Sequence, residues 1–289
     1  MTLPAAPMDT TAPRPHHRGM PAIGSAVAGS LASTYQRDGV VLVPGLFSAA
    51  EMDHVRDRFM AEVERGTSLG WDDGVPPGDP LARYPRFVHP HRRPDTAAGR
   101  MARALMLDPR LFRIVTELIG PAWAAQSMFY FKPPRARGQA MHQDNRYLLA
   151  HPETCLAAWV AVDATDRGNG GLYVVPGSHR LDLICPEPAE DDTSFTNDVI
   201  RLPAGMEPVQ TTMASGDTLF FHGSLAHGSP PNTSTHRFRR SLIFHYVPAA
   251  NTEIARFHQP LFTPDGQEIF VDDAHGGGPC GEGFAADGA

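Results

Sequence analysis

The sequence predicts an α+β protein in which helices come first and a single antiparallel β core, a sandwich or barrel, follows. Three observations carry this. Hydrophobic residues are 42% and charged residues 20% of the 289, a balance that excludes a wholly disordered or fibrous chain. Before residue 120 apolar residues recur at helical spacing. From Trp123 onward, short β-branched or aromatic runs alternate with Gly, Pro and Asn turns. Helices followed by strands, without strand–helix alternation, argue for an α+β architecture.

Taken in order, residues 1–28 are rich in Ala, Pro, Thr and Gly without periodicity, and they read as a flexible arm whose His16, His17 and Arg18 are solvated. GVVLVPGLF (39–47) reads as a strand entering a turn. Ser48 with Glu51 three residues on forms a capping-box pattern, and Met52, Val55, Phe59, Met60 and Val63 continue a helix toward Gly66. The stretch from Thr67 to Asp95, crowded with Gly, Pro, Asp and Arg, is long enough for a lid or binding loop. Residues 97–120 carry two helical patterns, broken near Asp108–Pro109 and stopped at Gly120. SMFYFKPP, CLAAWVAVDA, GLYVVPGSH, VQTTMASGDTLFFHG and RRSLIFHYVP read as strands. Residues 274–289 form a Gly-rich flexible tail, which leaves one domain over 29–273.

With 25 Lys and Arg against 32 Asp and Glu the net charge is −7, opposite to that of a protein tracking a phosphate backbone. Cys155, Cys185 and Cys280 are scattered and form no CxxC, so neither a disulfide framework nor a structural zinc site is expected, and a reducing cytoplasm fits. No stretch has the length of a membrane span, and the start lacks the charged-then-apolar order of a secretory signal. The expected partner is a small molecule, with no nucleic acid or membrane, and the chain is expected as a monomer or homodimer.

Histidine, at 14 residues, is the unusual count. GQAMHQDNRY places His142 and Asp144 two positions apart, on one face if the segment is a strand. Alone this is weak, since chance yields about one His-x-Asp in this composition. In GDTLFFHGSLAHGSPPN, 85 residues later, His227 borders a Pro/Asn-rich loop. Two imidazoles and one carboxylate make the facial ligand set of mononuclear non-haem Fe(II) oxygenases, which leaves three positions for a bidentate 2-oxo acid and O2. His222 is an alternative ligand that fits better packed beside its strand. FRRSL then offers Arg239 with Ser241 on one strand face, a guanidinium fork and a hydroxyl suited to a distant carboxylate; Arg240 has the opposite parity. His245 reads as a satisfied core histidine, with a place beside the metal ligands as the alternative, and His179 reads as a turn histidine.

MHQDNRY, TCLAAWVAVDATDRGNGGLYVVPGSH, GDTLFFHGSLAHGSPPN and FRRSLIFHY, in this order, resemble the phytanoyl-CoA dioxygenase family of iron- and 2-oxoglutarate-dependent enzymes over about residues 30–250. The resemblance implies a double-stranded β-helix, a cupin-like jelly roll with flanking helices. It implies His142, Asp144 and His227 as catalytic ligands of Fe(II), with Arg239 and Ser241 anchoring 2-oxoglutarate. It places Met128, Trp159, Arg100 and Gln143 around that cosubstrate. The twelve positions from His227 to Arg239 exceed the family's usual gap, and the longer loop TSTHR accounts for the difference. Phe129, Tyr130, Asn145 and Tyr147 flank the metal motif and are expected to shape the substrate pocket.

The expected reaction is hydroxylation of a C–H bond in a small metabolite, coupled to release of succinate and CO2. Asp144 argues for hydroxylation, desaturation or ring chemistry over halogenation, because related halogenases carry a small non-ligating residue at that position. A cupin-like enzyme that does without 2-oxoglutarate, and a catalytically silent jelly-roll ligand sensor, are the competing readings.

Overall fold

The computed structural model describes residues 30–66, 78–189 and 193–274. The expected arm at 1–28, residues 67–77 of the expected lid and the tail beyond Ala274 lie outside the described residues.

An element without a sequence expectation, α1 (Leu31–Asp38), opens the described chain, capped by the Ser30 side chain and ended at Gly39 with φ 74°. β1 (Val40–Val43) follows, then α2 (Ala49–Glu64), whose capping box is complete: Ser48 Oγ accepts from Glu51 N, and the Glu51 carboxylate accepts from Ser48 N. The Thr67–Asp95 segment is more structured than a loop where it is described, holding α3 (Pro80–Arg83) and β2 (Phe87–Val88). α4 (Ala97–Met106) and α5 (Pro109–Ile119) are separated where Asp108 caps α5 and Pro109 takes its first position, and Gly120 ends the second.

The strands then run β3 (Ala122–Lys132), β4 (Gln139–His142), a four-residue α6 (Asn145–Leu148), β5 (Leu156–Ala161) and β6 (Tyr173–Val174). β7 (Glu187–Pro188) and β8 (Asp198–Val199) pair with each other, and β9 (Val209–Gln210), β10 (Thr218–His222), β11 (His227–Ser229) and β12 (Arg239–Pro248) complete the core. β13 (Glu253–Ile254), β14 (Leu261–Phe262), β15 (Glu268–Ile269) and β16 (Asp272–Asp273) close the described chain. The large sheet has the order β1-β10-β5-β12-β3-β14-β15, with β2 also on β3, and the smaller sheet has β4-β11-β6-β9. Two facing antiparallel sheets with helices outside form the expected double-stranded β-helix.

Strand alternation sorts the large sheet into two faces. Leu156, Ala158 and Val160 of β5, Leu242, Phe244 and Tyr246 of β12, and Phe129 and Phe131 of β3 pack outward against Phe59, Leu111, Phe112 and Val115 of the helices. Ala157, Trp159, Ala161 and Ile243 face inward, toward Leu172, Val174 and Phe221. Phe129 is therefore not at a substrate pocket: it stacks on Phe59 at 4.0 Å with the rings 7° from parallel, because its parity puts it on the helix side.

One further expectation changes here. Cys185 is disulfide-bonded, against the expectation of no disulfide, while the buried Cys155 is free. Among the described residues no helix is long and apolar enough to cross a membrane.

The Ser48 cap has a measurable consequence, since Glu51 also receives Arg110 Nη2 at 2.8 Å and so ties α2 to α5. Ser48→Ala is expected to cost about 1 kcal/mol, seen as a fall of roughly 2–4 °C in thermal midpoint, with Ser48→Thr recovering most of it. A midpoint unchanged by Ser48→Ala contradicts the stabilising role.

Candidate functional site

The smaller sheet assembles the site. His227 of β11 lies directly opposite His142 of β4 in the antiparallel register, which brings their ring centroids to 4.2 Å. The strand ends at His142, so Asp144 does not share its face by strand parity as expected. It starts the helical turn of α6, with φ −65° and ψ −34°, and that turn swings its carboxylate back toward both rings. Asp144 Oδ1 lies 3.5 Å from His142 Nε2 and 3.5 Å from His227 Nε2.

Both rings are held by the same device. His142 Nδ1 donates to Ala140 O at 2.8 Å and His227 Nδ1 donates to Leu225 O at 2.9 Å, each to the carbonyl two residues earlier. With Nδ1 committed, each Nε2 keeps its lone pair facing the carboxylate, the arrangement that metal-binding histidines need. Gln139 Nε2 donates to His142 Nε2 at 3.1 Å, which agrees with that tautomer. Burial holds His227 down to about 4, partly offset by Asp144, so the ring is neutral near pH 7. Burial opposes the charge of Asp144, but His227, His142 and His245 outweigh it and keep the carboxyl well below its ordinary range. One atom from each of His142, Asp144 and His227 falls within 4.8 Å of the others. Two imidazoles and a carboxylate, all buried and converging, fit Fe(II) in chemistry and number.

His245 holds the other carboxylate oxygen, with Nε2 3.0 Å from Asp144 Oδ2. Its place follows from β12, where Arg239, Ser241, Ile243 and His245 share the inward face. Of the two readings of His245, the structure shows the one beside the metal ligands and not the plain core histidine, and the parity with Arg239 was legible.

The three candidate ligands line a cavity of about 740 Å³ together with Met128, Trp159, Tyr130, Tyr147 and Arg239. Arg239 is 3% exposed; its Nη1 donates to Ser241 Oγ at 3.0 Å, its Nε donates to Gly170 O at 3.2 Å, and its guanidinium lies 5.6 Å from the Trp159 ring centroid. Ser241 thus reaches the cavity only through Arg239. Arg240 points the other way and pairs with Asp163 through two bonds of 2.7 and 2.8 Å.

Three expected site residues lie elsewhere. Arg100 is exposed on α4, opposite the buried Ala98 and Ala102 face, and donates to Pro94 O. Gln143 is buried as a brace, its Nε2 donating to Ser224 O at 2.8 Å and its Oε1 accepting from Ile184 N at 2.7 Å. Asn145 closes the turn after α6 by bonding both the N–H and the carbonyl of Ala150. His222 is away from the centre, 5.3 Å from the His179 ring and accepting from Ser224 N.

The cavity also has walls that sequence reasoning missed. Arg86, from the segment after α3, lies 4.9 Å from the Phe195 ring centroid, and its Nη1 donates to Tyr130 OH at 3.5 Å. It is the basic residue upstream of the metal motif that reaches the cavity where Arg100 does not. Arg256, Phe257 and His258, after β13, form another wall. No pattern in the sequence marks either segment, because each is short, irregular and positioned by long-range contacts.

A jelly roll that places two histidines and an aspartate in a cavity with a buried arginine defines a mononuclear non-haem iron oxygenase. The phytanoyl-CoA dioxygenase family model matches residues 35–241, and the chain belongs to that family. It is 28% identical over 234 residues to mouse peroxisomal phytanoyl-CoA dioxygenase, covering 73% of this chain and 66% of that one. It is 26% identical over 259 residues to a probable phytanoyl-CoA dioxygenase of Caenorhabditis elegans, covering 81% and 78%. Among solved structures it resembles SnoN, a non-heme alpha ketoglutarate dependent epimerase from nogalamycin biosynthesis, at 26% identity and TM-score 0.59, over 76% of this chain and 82% of that chain. The same epimerase in complex with Fe3+, alpha ketoglutarate and nogalamycin RO aligns with TM-score 0.60 at 24% identity, over 77% and 84%.

Because His245 fixes Asp144, His245→Ala is expected to weaken Fe(II) binding by roughly 10- to 100-fold, measured by anaerobic metal titration. His245→Gln, which keeps an N–H donor, is expected to retain most of the affinity. Equal affinity in wild type and His245→Ala contradicts the positioning role.

Proposed function

We propose that this protein hydroxylates a C–H bond of a small molecule, using Fe(II), O2 and 2-oxoglutarate and releasing succinate and CO2, through a single domain spanning residues 29–273. The observation that carries this reading is the shared cavity: three buried metal-ligand candidates and a buried arginine that, among the described residues, is hydrogen-bonded to no carboxylate. His142 Nε2, His227 Nε2 and Asp144 Oδ1 would hold the iron, and Arg239 would receive the far carboxylate of 2-oxoglutarate in a bidentate pair. When bound, iron with the 2-oxo acid and O2 supplies the oxidising power that removes hydrogen from carbon.

The remaining residues bind, orient and exclude. Trp159 covers Arg239 with apolar surface, which strengthens its attraction for a carboxylate by keeping water away. Burial lowers Arg239 to about 10, so it stays charged at neutral pH. Asp144 is ionised and His227 neutral near pH 7, so both present lone pairs without first losing a proton. The side chains of the inner sheet faces that line the cavity decide which C–H bond lies next to the metal.

A cavity of about 740 Å³ lies within the 300–1,000 Å³ typical of sites for drug-sized ligands. Tyr147, Leu148, Leu149, Val88 and Phe257 make its substrate side mainly apolar, with Arg86 and Arg256 as its cations. These walls support a mid-sized substrate, or substrate portion, that is mostly apolar. A metal enzyme without a 2-oxo acid has no use for the buried Arg239, which counts against that alternative.

His142→Ala, Asp144→Ala and His227→Ala are each expected to abolish 2-oxoglutarate-dependent O2 consumption. Arg239→Ala is expected to raise the KM for 2-oxoglutarate by more than roughly tenfold, about 1.4 kcal/mol of lost pairing, with a smaller effect on kcat at saturation. Full activity in Asp144→Ala contradicts the ligand set.

A further inference from the structure

Lys132 ends β3 directly opposite Arg239 of β12 and is 2% exposed. Its Nζ donates to Ser229 Oγ at 2.6 Å, to Pro230 O at 2.8 Å and to Gly170 O at 3.4 Å. Arg239 Nε donates to the same Gly170 carbonyl at 3.2 Å. Two buried cationic side chains therefore share one acceptor, and among the described residues no carboxylate is hydrogen-bonded to either. Placing like charges together away from water is unfavourable unless an anion joins them. Burial first, and then Arg239, push the Lys132 ammonium well below its ordinary range.

The surroundings are shaped to this lysine. Gly170 has φ 78°, and a Cβ there would lie 2.5 Å from Lys132 Cδ and 2.9 Å from Pro230 O. Ser229 is two residues past His227 on β11, so Lys132 links the strand bearing a metal ligand to the strand bearing Arg239. Because Lys132 occupies the Ser229 oxygen as a donor, the hydroxyl hydrogen of Ser229 stays available to another acceptor.

We propose that Lys132 is a positioning residue for the far carboxylate of the 2-oxo acid: it fixes Ser229 and Gly170 beside Arg239 and adds a second positive charge behind it. The site then prefers a 2-oxo dicarboxylate over a 2-oxo monocarboxylate by more than Arg239 alone provides. This inference rests on the 2-oxo acid reading above.

The test is anaerobic titration of the Fe(II)-loaded protein with 2-oxoglutarate and with 2-oxobutanoate, followed by the charge-transfer absorption of the complex. Wild type is compared with Lys132→Met and Lys132→Gln; the glutamine keeps a donor toward Ser229 and Pro230 while removing the charge, which guards against a folding failure of the methionine. The expected result is a roughly tenfold or greater loss of 2-oxoglutarate affinity in both variants, with 2-oxobutanoate affinity changed less than about twofold. Equal weakening of both acids assigns Lys132 a purely structural role and overturns the proposal, as does undiminished 2-oxoglutarate affinity. A wild type that binds neither acid overturns the 2-oxo acid reading itself.

Discussion

One pairing register governs this protein's chemistry: β4 against β11, with His142 opposite His227. Side chains directly across an antiparallel pair approach closely whatever their separation along the chain, and here 85 residues of sequence are reduced to 4.2 Å between rings. A slip of one residue would turn one imidazole to the other face of the small sheet. The neighbouring pair β6 and the packing of Val174, Leu172 and Phe221 behind it hold that register, so the apolar core and the polar centre specify each other.

The second constraint is electrostatic. Asp144, Arg239 and Lys132 are all buried, yet none is left to apolar surroundings. Asp144 faces three imidazoles, and Arg239 and Lys132 are tied to backbone carbonyls and serine hydroxyls. Buried charge tolerated only by dipoles is poised for counter-charges, a cation at Asp144 and an anion at Arg239. The cavity between them is where those two would meet.

Most of the architecture was legible because it depends on local rules. The capping box at Ser48, the break at Asp108–Pro109 and the stop at Gly120 are read from a few neighbouring residues each, and the structure has all three. Strand parity correctly separated Arg239 from Arg240. Parity also fails where a strand stops: Asp144 reaches the centre through a helical turn that no alternation rule describes. Phe129, Gln143 and Asn145 were drawn in by adjacency to the motif, but the neighbour of an inward residue on a strand points outward, and residues after a strand end bond to whatever loop passes. Arg86, His258 and Lys132 depend on contacts across the fold, and single-sequence periodicity carries no information about such contacts.

The direct measurement is anomalous diffraction at the iron edge from crystals grown anaerobically with Fe(II). The account predicts a single strong peak bonded to His142 Nε2, His227 Nε2 and one oxygen of Asp144, with the other oxygen still held by His245. A peak at any other cluster of side chains, or a centre in which Asp144 takes no part, would contradict it.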